Sequence, residues 1–168
     1  MPGFSIIIPC LNEQKGMLFF LQRLQALRPQ CEIIVVDGGS DDDTVQIARP
    51  LVDHLFESKP GRAIQMNMGA EKASSDCLIF LHADTFLPDD AIVQIQHACA
   101  QGYHWGRFDI RLIGQHWLLP VISCLMNFRS AQISPREIRL FLSIKPCLTV
   151  SAAILLLLLW KILRFQRV

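Results

Sequence analysis

Short apolar runs alternate with helical spacing over most of this chain. Ser5–Pro9 (SIIIP) and Cys31–Asp37 (CEIIVVD) are continuous β-branched runs, suited to strands buried on both faces. Cys77–Leu81 (CLIFL) reads as a third such strand, and Leu55-Phe56 predicts a short one. Between them, Met17, Phe20, Leu21, Leu24 and Leu27 keep helical spacing until Pro29 ends the pattern. Ser40 and Asp43 have the spacing of a capping box, which predicts a helix through Ala48. Gly61–Ala73 and Asp89–Ala100 read as helices, and Trp105–Ile113 as an extended segment. This order predicts an α/β fold around a mostly parallel sheet with right-handed crossovers. Ligands of such sheets collect at the carboxyl ends of the strands.

Composition changes the picture only when it is divided. The 168 residues are 51% hydrophobic and 18% charged, enough to build a core and too apolar for a disordered chain. A formal net charge of +1 argues against a nucleic-acid-coating protein. Residues 1–133 hold ten basic and fourteen acidic residues, whereas residues 134–168 hold six basic residues, one acid and nine leucines. The expected organisation is therefore a domain over 1–133 and an unrelated tail over 134–168. Six scattered cysteines without a C-x-x-C pair fit a reduced, cytoplasmic chain with small apolar thiols. The N-terminus lacks the basic region of a signal peptide.

The strand ends carry the polar chemistry. Pro9-Cys10-Leu11-Asn12-Glu13 follows the first strand, Asp37-Gly38-Gly39-Ser40 with Asp41, Asp42, Asp43 and Thr44 follows the second, and His82-Ala83-Asp84 follows the third. A solvated helix N-terminus accounts for Asp41, Asp42 and Asp43. It does not account for Asp37, which closes a buried strand before two glycines that allow a ligand's close approach. There Asp37 could accept hydrogen bonds from a base or a ribose. If the third strand persists, His82 and Asp84 point the same way and can hold a divalent ion, with a diphosphate supplying further oxygens. Arg62, at a helix start, is a good diphosphate partner, or else an ordinary surface arginine; Asn67-x-Gly69-Ala70 is a donor motif or a small-residue packing face.

Taken together, SIIIPCLNE (Ser5–Glu13), VDGGSDDDT (Val36–Thr44), Gly61-Arg62 with Asn67-x-Gly69-Ala70, and FLHADTFLP (Phe80–Pro88) resemble the family-two glycosyltransferases of GT-A fold. Gly106–Asp109 (GRFD) and Met126–Ser130 (MNFRS) resemble a small bacterial subgroup that some naming schemes associate with arsenosugar biosynthesis. The resemblance covers about residues 4–131 and implies a Rossmann-like nucleotide-diphospho-sugar transferase fold, incomplete at the C-terminus. It also implies a nucleotide-diphosphate sugar donor, a Mg or Mn ion and inverting transfer to an unknown acceptor. By motif, Pro9, Asn12 and Glu13 would line the nucleotide site, with Gly39 and Asn67 beside it. Asp37 would hold the base or ribose, Arg62 would face the diphosphate, and Asp84 would supply the metal carboxylate. The usual D-x-D triplet here begins with His82.

Inverting transfer needs a base to deprotonate the acceptor. In the family this is a carboxylate beyond the extended segment, yet after Ser130 the only acid is Glu137, among basic residues. Asp109 is the nearest fallback. Codons compatible with Ser134–Ser143 (SPREIRLFLS), read from the third base of the Ser134 codon, spell STGDQAIFV, which resembles the subgroup's next segment. The same offset across Trp160–Gln166 (WKILRFQ) allows MEDIEVS, with its first Glu forced; such strings carry the family's catalytic carboxylate. A frameshift is therefore expected, and with it a chain that is a poor or inactive transferase as written. The rival reading of the tail is a short membrane helix over 146–163, near the lower limit of about 17 residues once Lys161 snorkels. The expected location is a cytoplasmic domain with membrane association through this tail. Two competing functions are a nucleotidyltransferase, which would want a Gly-rich basic loop after the first strand, and a non-catalytic or decayed nucleotide-sugar binder.

Overall fold

A computed structural model describes residues 3–103 and, beyond them, 105–106, 108–109, 119, 122–124, 127 and 142–144. Two compact units emerge, one formed by 1–87 with 143–168 and the other by 88–142.

The first unit is built on β1 (Phe4–Cys10), β2 (Cys31–Asp37), β3 (His54–Glu57) and β4 (Cys77–Phe80), parallel and in the order β3-β2-β1-β4. Every residue of β1 and β2 is buried, as continuous apolar runs require. Cys10, Asp37 and Glu57 fall in register, so three strands end together. Pairing between β1 and β4 stops earlier, at Ile7 with Phe80 and the Leu81 N–H to Ile7 O bond of 3.0 Å. Two residues on, Pro9 turns its nitrogen to that same edge, where no ladder partner is needed. The chain after β4 departs there.

Helix α1 (Gln14–Leu24) buries Met17, Phe20, Leu21 and Leu24 and tightens into a 3-10 turn over Gln25–Leu27. Helix α2 (Thr44–Ala48) is short, and α3 (Arg62–Lys72) crosses the sheet at β1 and β2. The α3 crossing depends on Gly69, because a Cβ there would stand 2.4 Å from Ile7 Cγ2 and 3.3 Å from Val36 Cγ2. At the opposite end of the sheet, buried Glu32 accepts hydrogen bonds from Ser5 Oγ and Ser74 N, and Ser75 N donates to Ser5 Oγ at 3.1 Å. Burial pushes the Glu32 carboxyl upward, but these donors outweigh it and hold the group below its ordinary range.

The second unit contains α4 (Ala91–Ala100), with Ala91, Ile92, Ile95 and Ala98 buried, and the two-residue strand β5 (Trp105–Gly106). A further strand, β6 (Leu142–Ile144), is the last described element. The extended segment expected over 105–113 is strand only at Trp105–Gly106 among the described residues. The tail helix expected over 146–163 and the motif over 126–130, apart from Asn127, lie outside the described residues. Among the described residues, no helix is long and apolar enough to cross a membrane.

Two local expectations need correction. Ser40 does not cap α2: its hydroxyl is held by Asp37 and accepts the Asn12 N–H, while Asp43 occupies the cap position without a side-chain cap bond. Nor does the third strand persist through Asp84. It ends at Phe80, and Thr85 N donates to His82 O at 3.0 Å, so His82–Thr85 is a turn and strand alternation does not align His82 with Asp84.

Candidate functional site

The site is the set of loops leaving β1, β2 and β4, together with the start of α3. Asp37 is 1% exposed, and its carboxylate is turned into its own loop. Oδ2 accepts from Gly39 N (2.8 Å) and Ser40 N (2.7 Å), and Oδ1 accepts from Ser40 Oγ. Gly39 takes φ +90°, a left-handed setting that favours glycine, with open space where a Cβ would stand. Asp37 thus shapes the turn, its carboxylate accepting three hydrogen bonds from the loop. Pro9 is likewise buried in β1, paired with Val36.

Asn12 stands at φ +56° and is exposed. Its N–H donates to Ser40 Oγ (2.9 Å), and its Oδ1 accepts from Asp41 N (3.0 Å). Glu13 N donates to Thr44 Oγ1 at 2.9 Å. Asp42 Oδ2 accepts from Gln14 N (3.2 Å) and Oδ1 from Thr44 N (2.9 Å), while Asp43 Oδ2 accepts from Gln14 Nε2 (3.2 Å). Asp42 therefore accepts the first amide of both α1 and α2, and with Asp43 it laces the β1 and β2 loops together. Thr44's donation, above all from its hydroxyl, holds the Asp42 carboxyl below its ordinary range. Beneath the loops, burial and then Asp37 push the Cys10 thiol up to about 12.

Arg62 is the first residue of α3, is exposed, and follows Gly61 at φ +146° with no side-chain cap on the helix. His82 is half-buried. Burial lowers its pKa, the Arg62 charge lowers it further, and Asp84 opposes both. A guanidinium, a neutral imidazole and a carboxylate are therefore neighbours at this edge. Asp84 is exposed, and its Oδ1 accepts from Thr85 Oγ1 at 3.0 Å. No group of three metal-ligating side chains stands among the described residues. One carboxylate beside a neutral imidazole fits a Mg or Mn ion that takes its other ligands from phosphate and water. The loop is steadied by Phe86, whose ring meets Phe19 edge-on at 5.8 Å and lies under the Arg23 guanidinium at 5.2 Å.

Asn67 is half-buried, and among the described residues its Oδ1 is a buried acceptor without a partner. Asp109, the fallback base, is exposed and belongs to the second unit. One residue escaped the sequence reading. Gln65, 3% exposed, donates from Nε2 to Cys10 O (2.7 Å) and Val36 O (2.8 Å), clasping the ends of β1 and β2. Its only trace in the sequence is a polar position on the sheet-facing side of α3, between Arg62 and Gly69.

Comparison with known proteins bears on the family and the fold. The chain is 32% identical over 111 residues to an undecaprenyl-phosphate 4-deoxy-4-formamido-L-arabinose transferase of Pseudomonas savastanoi pv. phaseolicola, covering 59% of this chain and 33% of that protein. It is 35% identical over 124 residues to an uncharacterized glycosyltransferase of Mycobacterium tuberculosis, covering 67% of this chain and 47% of the relative. The chain thus spans less than half the length of these curated relatives. Among solved structures, the M. tuberculosis glucosyl-3-phosphoglycerate synthase in complex with Mn2+, uridine diphosphate and phosphoglyceric acid matches with a TM-score of 0.53 and 21% identity, over 62% of this chain and 41% of that one, a likeness of fold. The family model for glycosyl transferase family 2 matches residues 5–120, which span the loops and the α3 start described above, and the chain belongs to that family.

Proposed function

We propose that this chain binds the nucleotide-diphosphate sugar donor of an inverting glycosyl transfer, with the diphosphate at the α3 start. The convergence of Arg62, His82 and Asp84 carries the reading. Arg62 and the uncapped N–H groups of α3 meet the diphosphate oxygens, where helix-end amides and a forked guanidinium both favour an anion. Neutral His82 stands beside them as a further polar contact. Asp84 would hold the Mg or Mn ion, which would offset charge on the departing diphosphate. Pro9, Asn12 and Glu13, at the end of β1 and on the loop after it, would line the nucleotide site; Asp37 would hold the base or ribose, and with Gly39 it fixes the loop opposite.

In the transfer, the acceptor oxygen forms a bond to the anomeric carbon as the nucleoside diphosphate leaves with the bonding pair. The acceptor proton passes to a base, for which the sequence offers Asp109 as the fallback. The resemblance of GRFD and MNFRS to the subgroup linked with arsenosugar biosynthesis leaves the acceptor open, and a frame change at the Ser134 codon would account for the carboxylate expected beyond Ser130 having no counterpart. The apolar segment within 146–163 would bring the domain to a membrane surface.

Calorimetry with UDP and GDP, with and without Mn or Mg, tests the donor site. Binding should tighten with metal, Asp84→Ala should abolish that tightening, and Arg62→Ala should weaken binding in either case. Wild-type protein that takes up neither nucleotide removes the proposal.

A further inference from the structure

Resting on the donor-site reading above, we infer that Gln65 is a positioning residue for the donor: its amide fixes α3, and with it Arg62, against the ends of β1 and β2. An amide NH2 has two donors, and both are used, on Cys10 O at 2.7 Å and Val36 O at 2.8 Å. Cys10 O is shared with Gly38 N at 2.9 Å, so the same carbonyl anchors the loop whose turn Asp37 sets. The other buried positions of α3, Met66, Gly69 and Ala70, offer apolar contacts that do not choose one setting along the helix axis. The Gln65 bonds are directional and do choose. Arg62 lies three residues earlier, close to the same helix face, so a small slide or roll of α3 is passed directly to its guanidinium. Gly38 completes the fit, since a Cβ there would stand 3.1 Å from Gln65 Nε2.

The test compares Gln65→Met, which keeps the volume and loses both donors, with Gln65→Glu and Gly38→Ala. Each is measured for UDP and GDP binding with Mn, well below its melting temperature, and separately for melting. Gln65→Met should weaken binding by about 10- to 100-fold, the range usual when a supporting hydrogen bond is removed from behind a binding group. In Gln65→Glu the carboxylate faces two carbonyl oxygens at neutral pH, whereas the protonated acid regains one donor. Its affinity relative to wild type should therefore climb as pH falls toward about 5. Gly38→Ala should weaken binding alone and add nothing to Gln65→Met, because its methyl acts on the Gln65 amide. Lowered melting temperatures with unchanged affinities would reduce Gln65 to a stabilising residue and overturn the inference. So would additive effects of the Gly38 and Gln65 changes. A wild type that binds no nucleoside diphosphate fails at the donor site itself, a separate result.

Discussion

Gly69 and the cysteines show how one position governs what its neighbours can do. A methyl group at Gly69 would lie 2.4 Å from Ile7 Cγ2, and neither the central strand nor the helix above it has room to yield. Gly69→Ala should cost about 1–3 kcal/mol through overpacking. For a chain of this length that lowers melting by about 2–4 °C per kcal/mol, read by calorimetry; an unchanged melting temperature would mean that α3 sits higher on the sheet. The thiols make a sharper contrast. Burial and then Asp37 push Cys10 up to about 12, and burial alone pushes Cys31 up to about 11, so both are protonated at neutral pH, while Cys124 is exposed. Alkylation of the native protein followed by peptide mass spectrometry should mark Cys124 and spare Cys10 and Cys31 until the chain is unfolded.

At the scale of elements, the amino end of the sheet is joined by Glu32. Its folded-state pKa is lowered, so the ionised form adds stability above the ordinary carboxylate value, and that addition is lost as pH falls through the folded value. Glu32→Gln should therefore be less stable than wild type at neutral pH, with the gap narrowing in denaturant titrations as the pH falls below the ordinary carboxylate value. A gap that ignores pH would assign the effect to packing. The elements themselves were largely legible in the sequence. Cys31–Asp37 is a strand with the bounds its β-branched run predicts, and the helical spacing of Met17, Phe20, Leu21 and Leu24 marks the buried face of α1. What failed was chemistry spanning distant positions. Ser40 and Asp43 have capping-box spacing, but Asn12 and Asp37 claim the Ser40 hydroxyl, and no local pattern announces that. Gln65 was overlooked for the same reason: its partners lie 55 and 29 residues away.

For the whole molecule, the proposed donor site in the first unit is joined to a chain whose only acid after Ser130 is Glu137. Donor binding should be measurable while transfer is slow, because a missing positioned base costs about 10²–10⁴ in rate. Shifting the reading frame by one base at the Ser134 codon, then assaying transfer and donor hydrolysis, checks this directly. A gain of that size supports the frameshift; equal turnover by the unshifted chain would leave the proton transfer to Asp109 or another group of the first 133 residues.

The lacing of the β1 and β2 loops has a kinetic consequence. The N–H groups of Asn12, Glu13, Gln14, Gly39, Ser40, Asp41 and Thr44 all end on side-chain oxygens, and the bonds that join the two loops cross gaps of 28 to 31 residues. None of the crossing bonds can close before β1, α1 and β2 have docked, so the loops are a late-forming latch whose amides become shielded from solvent deuterium together. Because Asp42 holds two of these N–H groups with a carboxyl kept below its ordinary range, acid opens the latch by protonating it. Corrected for intrinsic rates, the Gln14 and Thr44 amides should lose protection in acid before those of β1 and β2.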